Sequence, residues 1–179
     1  MRTIDRNSYL AKLIDKKENG LIKVITGIRR CGKSYLLFHL YYDYLVQNGV
    51  KEDHIITIAL DDNVYLTLRD PDKLSEYIRS QITDKELYYI LIDEIQYAIS
   101  KDELKNSENI RLYNVLNGIM RLRNVDIYVT GSNSKMLTKD VMTAFRGRGD
   151  EVRIHPLSFR EYHDFCGGDK SEAYEEYAM

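Results

Sequence analysis

The chain has 179 residues, enough to bury a full hydrophobic core as one α/β domain. Its 26 lysines and arginines against 28 aspartates and glutamates leave a net charge of −2 with no long basic tract, so the segment as a whole offers no electrostatic case for nucleic-acid binding, although a local basic patch is compatible with it. No apolar run is long enough to cross a bilayer, residues 1–6 lack the apolar centre of a signal peptide, and the two cysteines, Cys31 and Cys166, are too few for a disulfide scaffold or a zinc site. A reducing, cytoplasmic setting is the expectation.

Tyr9, Leu10, Leu13 and Ile14 recur at helical spacing over residues 5–18, which predicts an amphipathic helix ended by Asn19-Gly20. Residues 21–26, Leu-Ile-Lys-Val-Ile-Thr, read as a buried strand. Directly after it stands Gly27-Ile28-Arg29-Arg30-Cys31-Gly32-Lys33-Ser34, followed by Tyr35 and a helix that reaches about Gln47. This is G-x-x-x-x-G-K-[ST] in its required strand–loop–helix setting. Backbone N–H groups of such a loop form an anion hole, and the helix N-terminus adds positive potential. Residues 27–35 are therefore the expected nucleotide cradle, with Lys33 reaching the β- and γ-phosphates and Ser34 holding Mg²⁺ through its hydroxyl. Arg29 and Arg30 either touch phosphate, pair with Asp61-Asp62, or stay in solvent. Cys31 lies beside a helix N-terminus and near Lys33, an environment that activates thiols; alkylation of the empty protein, blocked by ATP, is expected.

A second strand is expected over residues 54–60 and a helix over 72–82. Tyr88-Tyr89-Ile90-Leu91-Ile92 then ends in Asp93-Glu94. An unbroken apolar run is the pattern of a strand covered on both faces, and ligands bind at the carboxyl ends of such strands. Asp93 is the expected second Mg²⁺ residue and Glu94 the residue that polarises the attacking water; the same pair could also cap the following segment. Residues 98–109 read as a surface loop and 110–120 as a helix.

The fourth strand, 125–130, ends in Thr130-Gly131-Ser132-Asn133-Ser134. Ser132 or Asn133 either senses the γ-phosphate or caps the helix expected near 134–142. Arg146 and Arg148, set among glycines in Phe145-Arg146-Gly147-Arg148-Gly149, are candidate arginine fingers acting in cis or in a neighbouring subunit; the plainer reading is a solvated loop. A fifth strand is expected over 150–154. The four histidines have no metal-ligand spacing and read as structural or surface. Strands alternating with helices predict a three-layer α/β/α P-loop fold with a mostly parallel five-stranded sheet, order 5-1-4-3-2. In that order the fourth strand separates the phosphate-loop strand from the Asp93 strand. No N-K-x-D guanine-reading motif occurs, and no acceptor site for a kinase is evident.

The phosphate loop, Leu91-Ile92-Asp93-Glu94-Ile95-Gln96, Val129-Thr130-Gly131-Ser132-Asn133-Ser134, and Arg146-Gly147-Arg148 followed by His155-Pro156-Leu157-Ser158-Phe159-Arg160-Glu161-Tyr162 together resemble the prokaryotic AAA-type ATPases usually joined to a C-terminal region of the DUF4143 type. The resemblance covers about residues 5–166. It implies an ATP·Mg²⁺ core using Lys33, Ser34, Asp93 and Glu94, with an effector region lying beyond this chain. The expected organisation is an N-terminal helix over 1–20, the P-loop ATPase domain over 21–166, and over 167–179 the start of a C-terminal region cut short. A switch that holds ATP or ADP with little hydrolysis uses the same residues and remains the alternative. Expected partners are ATP or ADP, that C-terminal region, and further copies of the chain through an arginine finger.

Overall fold

The computed structural model describes residues 4, 6–103, 110–131, 145 and 147–178. The helix α1 (Asn7–Asp15) precedes β1 (Ile22–Thr26). After the phosphate loop, the segments Lys33–Tyr35, Leu36–Tyr41 and Tyr42–Gln47 run on as one helix, α2, whose middle segment takes wide π-type turns. There follow β2 (Ile55–Ala59), α3 (Pro71–Gln81), β3 (Tyr88–Asp93), α4 (Arg111–Ile119), β4 (Val125–Thr130), β5 (Gly149–Arg153), α5 (Phe159–Cys166) and α6 (Lys170–Ala178). The helix expected near 134–142 lies outside the described residues. The helix α5 is not among the elements expected from sequence; Ser158 and Glu161 form a reciprocal capping box at its start, which is the local signal for it.

The five strands are all parallel and run β2-β3-β4-β1-β5 across the sheet, the order expected. Every residue of β1, β3 and β4 is buried, as strands covered on both faces must be. Alternate side chains then serve opposite layers. Val24, Ile58, Ile90, Ile92, Ile127 and Val129 pack with Leu74 and Ile78 of α3 and Leu112 and Leu116 of α4. Ile25, Leu91 and Tyr128 face Leu13 of α1 and Leu36, Leu37, Tyr41 and Leu45 of α2.

A charged pair interrupts the second layer. Lys23 is wholly buried, and its ammonium meets the buried Asp126 carboxylate on β4 and donates to Leu21 O at 3.0 Å. Burial pulls the ammonium below the ordinary lysine value, against the opposing influence of Asp126. The Tyr128 hydroxyl donates to the other Asp126 oxygen at 2.8 Å and receives the Tyr41 hydroxyl at 2.5 Å, so α2, β1 and β4 share one closed polar network. A slip of one residue between β1 and β4 would leave both charges buried and unpaired, which fixes the register Val24↔Val129.

Candidate nucleotide site

In a parallel sheet the carboxyl ends of all strands lie along one edge. Thr26, Asp93 and Thr130 end β1, β3 and β4 there. The loop 27–34 springs from the same edge. Gly27 has φ +153°, and a Cβ at that position would sit 2.5 Å from Ile154 O, so no side chain fits. Gly32 has φ +88°, the left-handed region that favours glycine. Lys33 is 3% exposed, and its ammonium is folded into its own loop, donating to Ile28 O at 2.9 Å and Gly27 O at 3.2 Å.

Ser34, which is exposed, hydrogen-bonds Asp93, and the Thr130 hydroxyl donates to the same carboxylate. Burial raises the Asp93 pKa above the usual aspartate value, and the nearby charges of Glu94 and Asp61 add to the shift, while the bonds from Ser34 and Thr130 oppose it. A buried carboxylate short of positive charge, beside a hydroxyl, is an all-oxygen donor set suited to a hard divalent cation. The next residue, Glu94, takes the left-handed conformation (φ 54°, ψ 52°), at a cost of about 1–3 kcal/mol for a non-glycine residue. Its N–H donates to Thr130 Oγ1 at 3.1 Å, and its carboxylate receives the Gln96 amide.

Ser34 and Glu94 face a cleft of about 610 Å³, lined also by Arg29 and Arg30 of the loop, Asp61 after β2, and Gln96 and Tyr97 after β3, with Asp93 buried behind them. Arg69 braces the far wall: it donates to Leu60 O at 2.8 Å and Asp61 O at 3.1 Å, and its guanidinium lies 4.7 Å from the Tyr97 ring centroid. The fold thus gathers Lys33, Ser34, Asp93 and Glu94, and leaves Arg29 and Arg30 solvent-exposed on the wall of the cleft.

Not every predicted residue joins this group. Arg148 is exposed and precedes β5 at the opposite edge of the sheet, where its carbonyl accepts the Ile22 N–H at 2.8 Å. The length of β1, about 16 Å, separates it from the loop, farther than one arginine side chain reaches. The Arg148 side chain therefore does not reach the cleft of its own chain in this structure. Arg146, Ser132 and Asn133 lie outside the described residues. Cys31 is 5% exposed, with Sγ 3.9 Å from the Lys33 ammonium; ready alkylation of the empty protein is not what this packing supports, because the loop would have to open first.

Sequence alone assigns no role to Thr130, Gln96, Tyr97 or Arg69. Thr130 was legible only as the polar end of an apolar strand paired with the Asp93 strand. His54 was read as structural or surface, and the fold buries it against the Asp84 and Glu86 side chains, with one ligating atom of each within 4.8 Å of the others. Asp53 at 2.8 Å and Asp84 at 3.1 Å occupy the two ring nitrogens, and Lys51 holds Glu86 at 2.9 Å, so charge pairing accounts for this cluster.

A phosphate loop, a buried acidic strand tip and this strand order define a P-loop domain of the AAA type, an ATP-binding fold. The chain belongs to the AAA_14 family of AAA domains, whose model matches residues 19–163. It is 35% identical over 160 residues to an uncharacterized protein of Haemophilus influenzae, covering 89% of this chain and 37% of that one. It is 32% identical over 158 residues to an uncharacterized protein of Methanocaldococcus jannaschii, covering 86% and 30% respectively. The chain thus spans about a third of the length of these curated relatives. Among solved structures, C. elegans PCH-2 shares the fold with a TM-score of 0.59 at 18% identity, over 88% of this chain and 44% of that one. Domain III of the replication initiation protein DnaA from Thermotoga maritima gives 0.58 at 18% identity, over 99% and 72%. AMPPCP-bound DnaA from Aquifex aeolicus gives 0.54 at 17%, over 88% and 48%. Among the described residues, no helix is long and apolar enough to cross a membrane.

Proposed function

We propose that the domain hydrolyses ATP with Mg²⁺ and that the nucleotide cycle drives or gates the remainder of a longer, cytoplasmic protein. The observation that supports this reading is the clustering of Ser34, Asp93 and Thr130 in one hydrogen-bonded group beside a cleft shared by Glu94, Arg29 and Arg30. Loop amides bind the phosphate oxygens, and Lys33 exchanges its two loop carbonyls for the β- and γ-phosphates. Ser34 and Asp93 hold Mg²⁺, which when bound neutralises charge on the phosphate oxygens. Glu94 orients the attacking water and draws off its proton. Ser132 or Asn133 senses the γ-phosphate. Arg146 or Arg148 of a second copy completes the charge stabilisation, which makes the active form an oligomer.

The experiment is phosphate release from ATP by the chain and by Glu94→Gln, across a range of protein concentrations. Release that rises with concentration and vanishes in Glu94→Gln supports the reading; release unaffected by that substitution overturns it. The remote position of Arg148 favours a second reading for the isolated chain, a nucleotide switch with tight binding and negligible release in either form.

A further inference from the structure

Arg6 is among the few charged side chains that this fold closes over, at 5% exposure. Its guanidinium joins three parts of the chain that are far apart in sequence. Nη1 donates to Cys31 O in the phosphate loop at 2.6 Å, Nη2 to His155 O at 2.7 Å, and Nε to the Glu161 carboxylate of α5 at 3.2 Å. Its charged carbon lies 4.4 Å from the Tyr9 ring centroid. A guanidinium cannot shed its charge, so this arrangement holds only while all three acceptors stay in place.

The bond to Cys31 O matters for anion binding. Across a trans peptide the carbonyl and the following N–H point in opposite directions. With Cys31 O held by Arg6, the Gly32 N–H is turned away from the guanidinium and cannot flip. A carbonyl turned toward a phosphate would repel it, so the bond holds the Cys31–Gly32 peptide with its carbonyl on the Arg6 side before any nucleotide arrives.

The other end of the loop is held by the same downstream segment. Ile154 N donates to Thr26 O at 2.7 Å, and Gly27 lies so close to Ile154 O that a Cβ there would approach it to 2.5 Å. Glu161 is itself fixed: one oxygen receives both the backbone N–H and the hydroxyl of Ser158, each at 2.8 Å, leaving the other for Arg6. At the start of α5, Phe159 packs edge-on against Tyr174 and Tyr177 of α6, with ring centroids 5.2 and 5.7 Å away, and the Tyr177 hydroxyl donates to Leu157 O at 2.6 Å. Contacts are continuous from the phosphate loop to the terminal helical pair.

We infer that Arg6 is a positioning residue of the nucleotide loop and that, through Glu161, it couples nucleotide occupancy to the seating of α5 and α6. The inference rests on the nucleotide-site reading above and deepens it by assigning the site a regulatory output. It also gives a role to the His155–Tyr162 segment, which the proposed chemistry leaves unused. Because coupling is reciprocal, loosening the helical pair weakens nucleotide binding as much as nucleotide tightens the pair.

The test is calorimetric titration of ADP with Mg²⁺ into the chain, Arg6→Lys, Glu161→Gln, and Arg160→Gln as an exposed control on the same helix, with hydrogen exchange of α5 amides with and without ADP. Lysine keeps the charge but cannot reach both carbonyls; a loss of about tenfold in affinity is expected, within the usual range of coupling between sites. Glutamine at 161 keeps the capping box with its single oxygen, and so turns its amide nitrogen toward Arg6. A loss of about fivefold is expected there, with the fold intact and Arg160→Gln unchanged. ADP should slow exchange across 159–166 in the parent chain, and this slowing should disappear in Arg6→Lys. Folded variants that bind as tightly as the parent, or an α5 indifferent to ADP in the parent, would overturn the inference alone. A parent chain that takes up no nucleotide would overturn the site reading beneath it as well.

Discussion

Thr130 holds both acidic residues at the tip of β3 at once: its hydroxyl donates to the Asp93 carboxylate and accepts the Glu94 N–H at 3.1 Å. Thr130→Val keeps the shape and removes both bonds. It should destabilise the protein by about 1–3 kcal/mol, since a buried carboxylate and an N–H lose a partner, and it should weaken Mg²⁺-dependent nucleotide binding. Denaturant unfolding and a magnesium titration of nucleotide affinity check the two effects.

Asp93 gives a linkage prediction. Its folded pKa is raised, chiefly by burial, so its favourable contribution to folding is complete below the unfolded value and is lost as pH rises through the folded one. At neutral pH the ionised group therefore costs stability. Asp93→Asn should raise the melting temperature of the nucleotide-free protein at pH 7, make little difference near pH 3, and abolish the stabilisation that Mg²⁺ with nucleotide gives the parent. Melting curves over that pH range decide it.

Gly27→Ala drives a methyl group to 2.5 Å from Ile154 O. We expect a loss of about 1–3 kcal/mol from overpacking, together with loss of nucleotide binding, because the loop must shift. Gly20→Ala provides the comparison: its φ of +74° is strained for alanine, but a Cβ there meets nothing within 4 Å. A nucleotide affinity unchanged in Gly27→Ala would contradict the close approach of the loop to residue 154.

At the opposite sheet edge, His54 provides a second pH dependence. Burial opposes its charge and is the largest single influence, but the hydrogen bonds and charges of Asp53 and Asp84 together outweigh it and raise the imidazole pKa above its ordinary value. The stabilisation is therefore complete below the unfolded pKa of about 6.5 and fades as pH rises through the folded value. His54→Gln should flatten the fall in stability on the alkaline side of neutrality. Chemical denaturation at pH 6 and pH 9 measures this directly.

The sheet order was readable because continuous apolar runs ending in chemistry-bearing residues mark strands of one kind, and their spacing leaves few topologies. That Ser34, Asp93 and Glu94 lie together was readable because parallel strands deliver their carboxyl ends to one edge. Whether Arg148 could serve its own chain was not legible, because a residue placed just before a strand sits at the far edge, and this depends on strand direction rather than on nearness in sequence. The ties of Arg6 to His155 and Glu161 join opposite ends of the chain, and the Lys23–Asp126 pair faces inward from strands that look merely apolar. Nothing local announces such pairings; they emerge only once distant segments are packed. The left-handed backbone of Glu94 is likewise imposed from outside, by Thr130 and the turn that follows.

The central place of β4, seated between β1 and β3 although it comes after both in the chain, bears on synthesis at the ribosome. Until residue 130 has left the exit tunnel, β1 and β3 have no shared neighbour, and each presents an open edge of unpaired amides. The nascent protein passes through a stage in which half of its sheet is ready to pair with any extended peptide nearby. Conditions that slow elongation between β3 and β4 should therefore favour aggregates over native product.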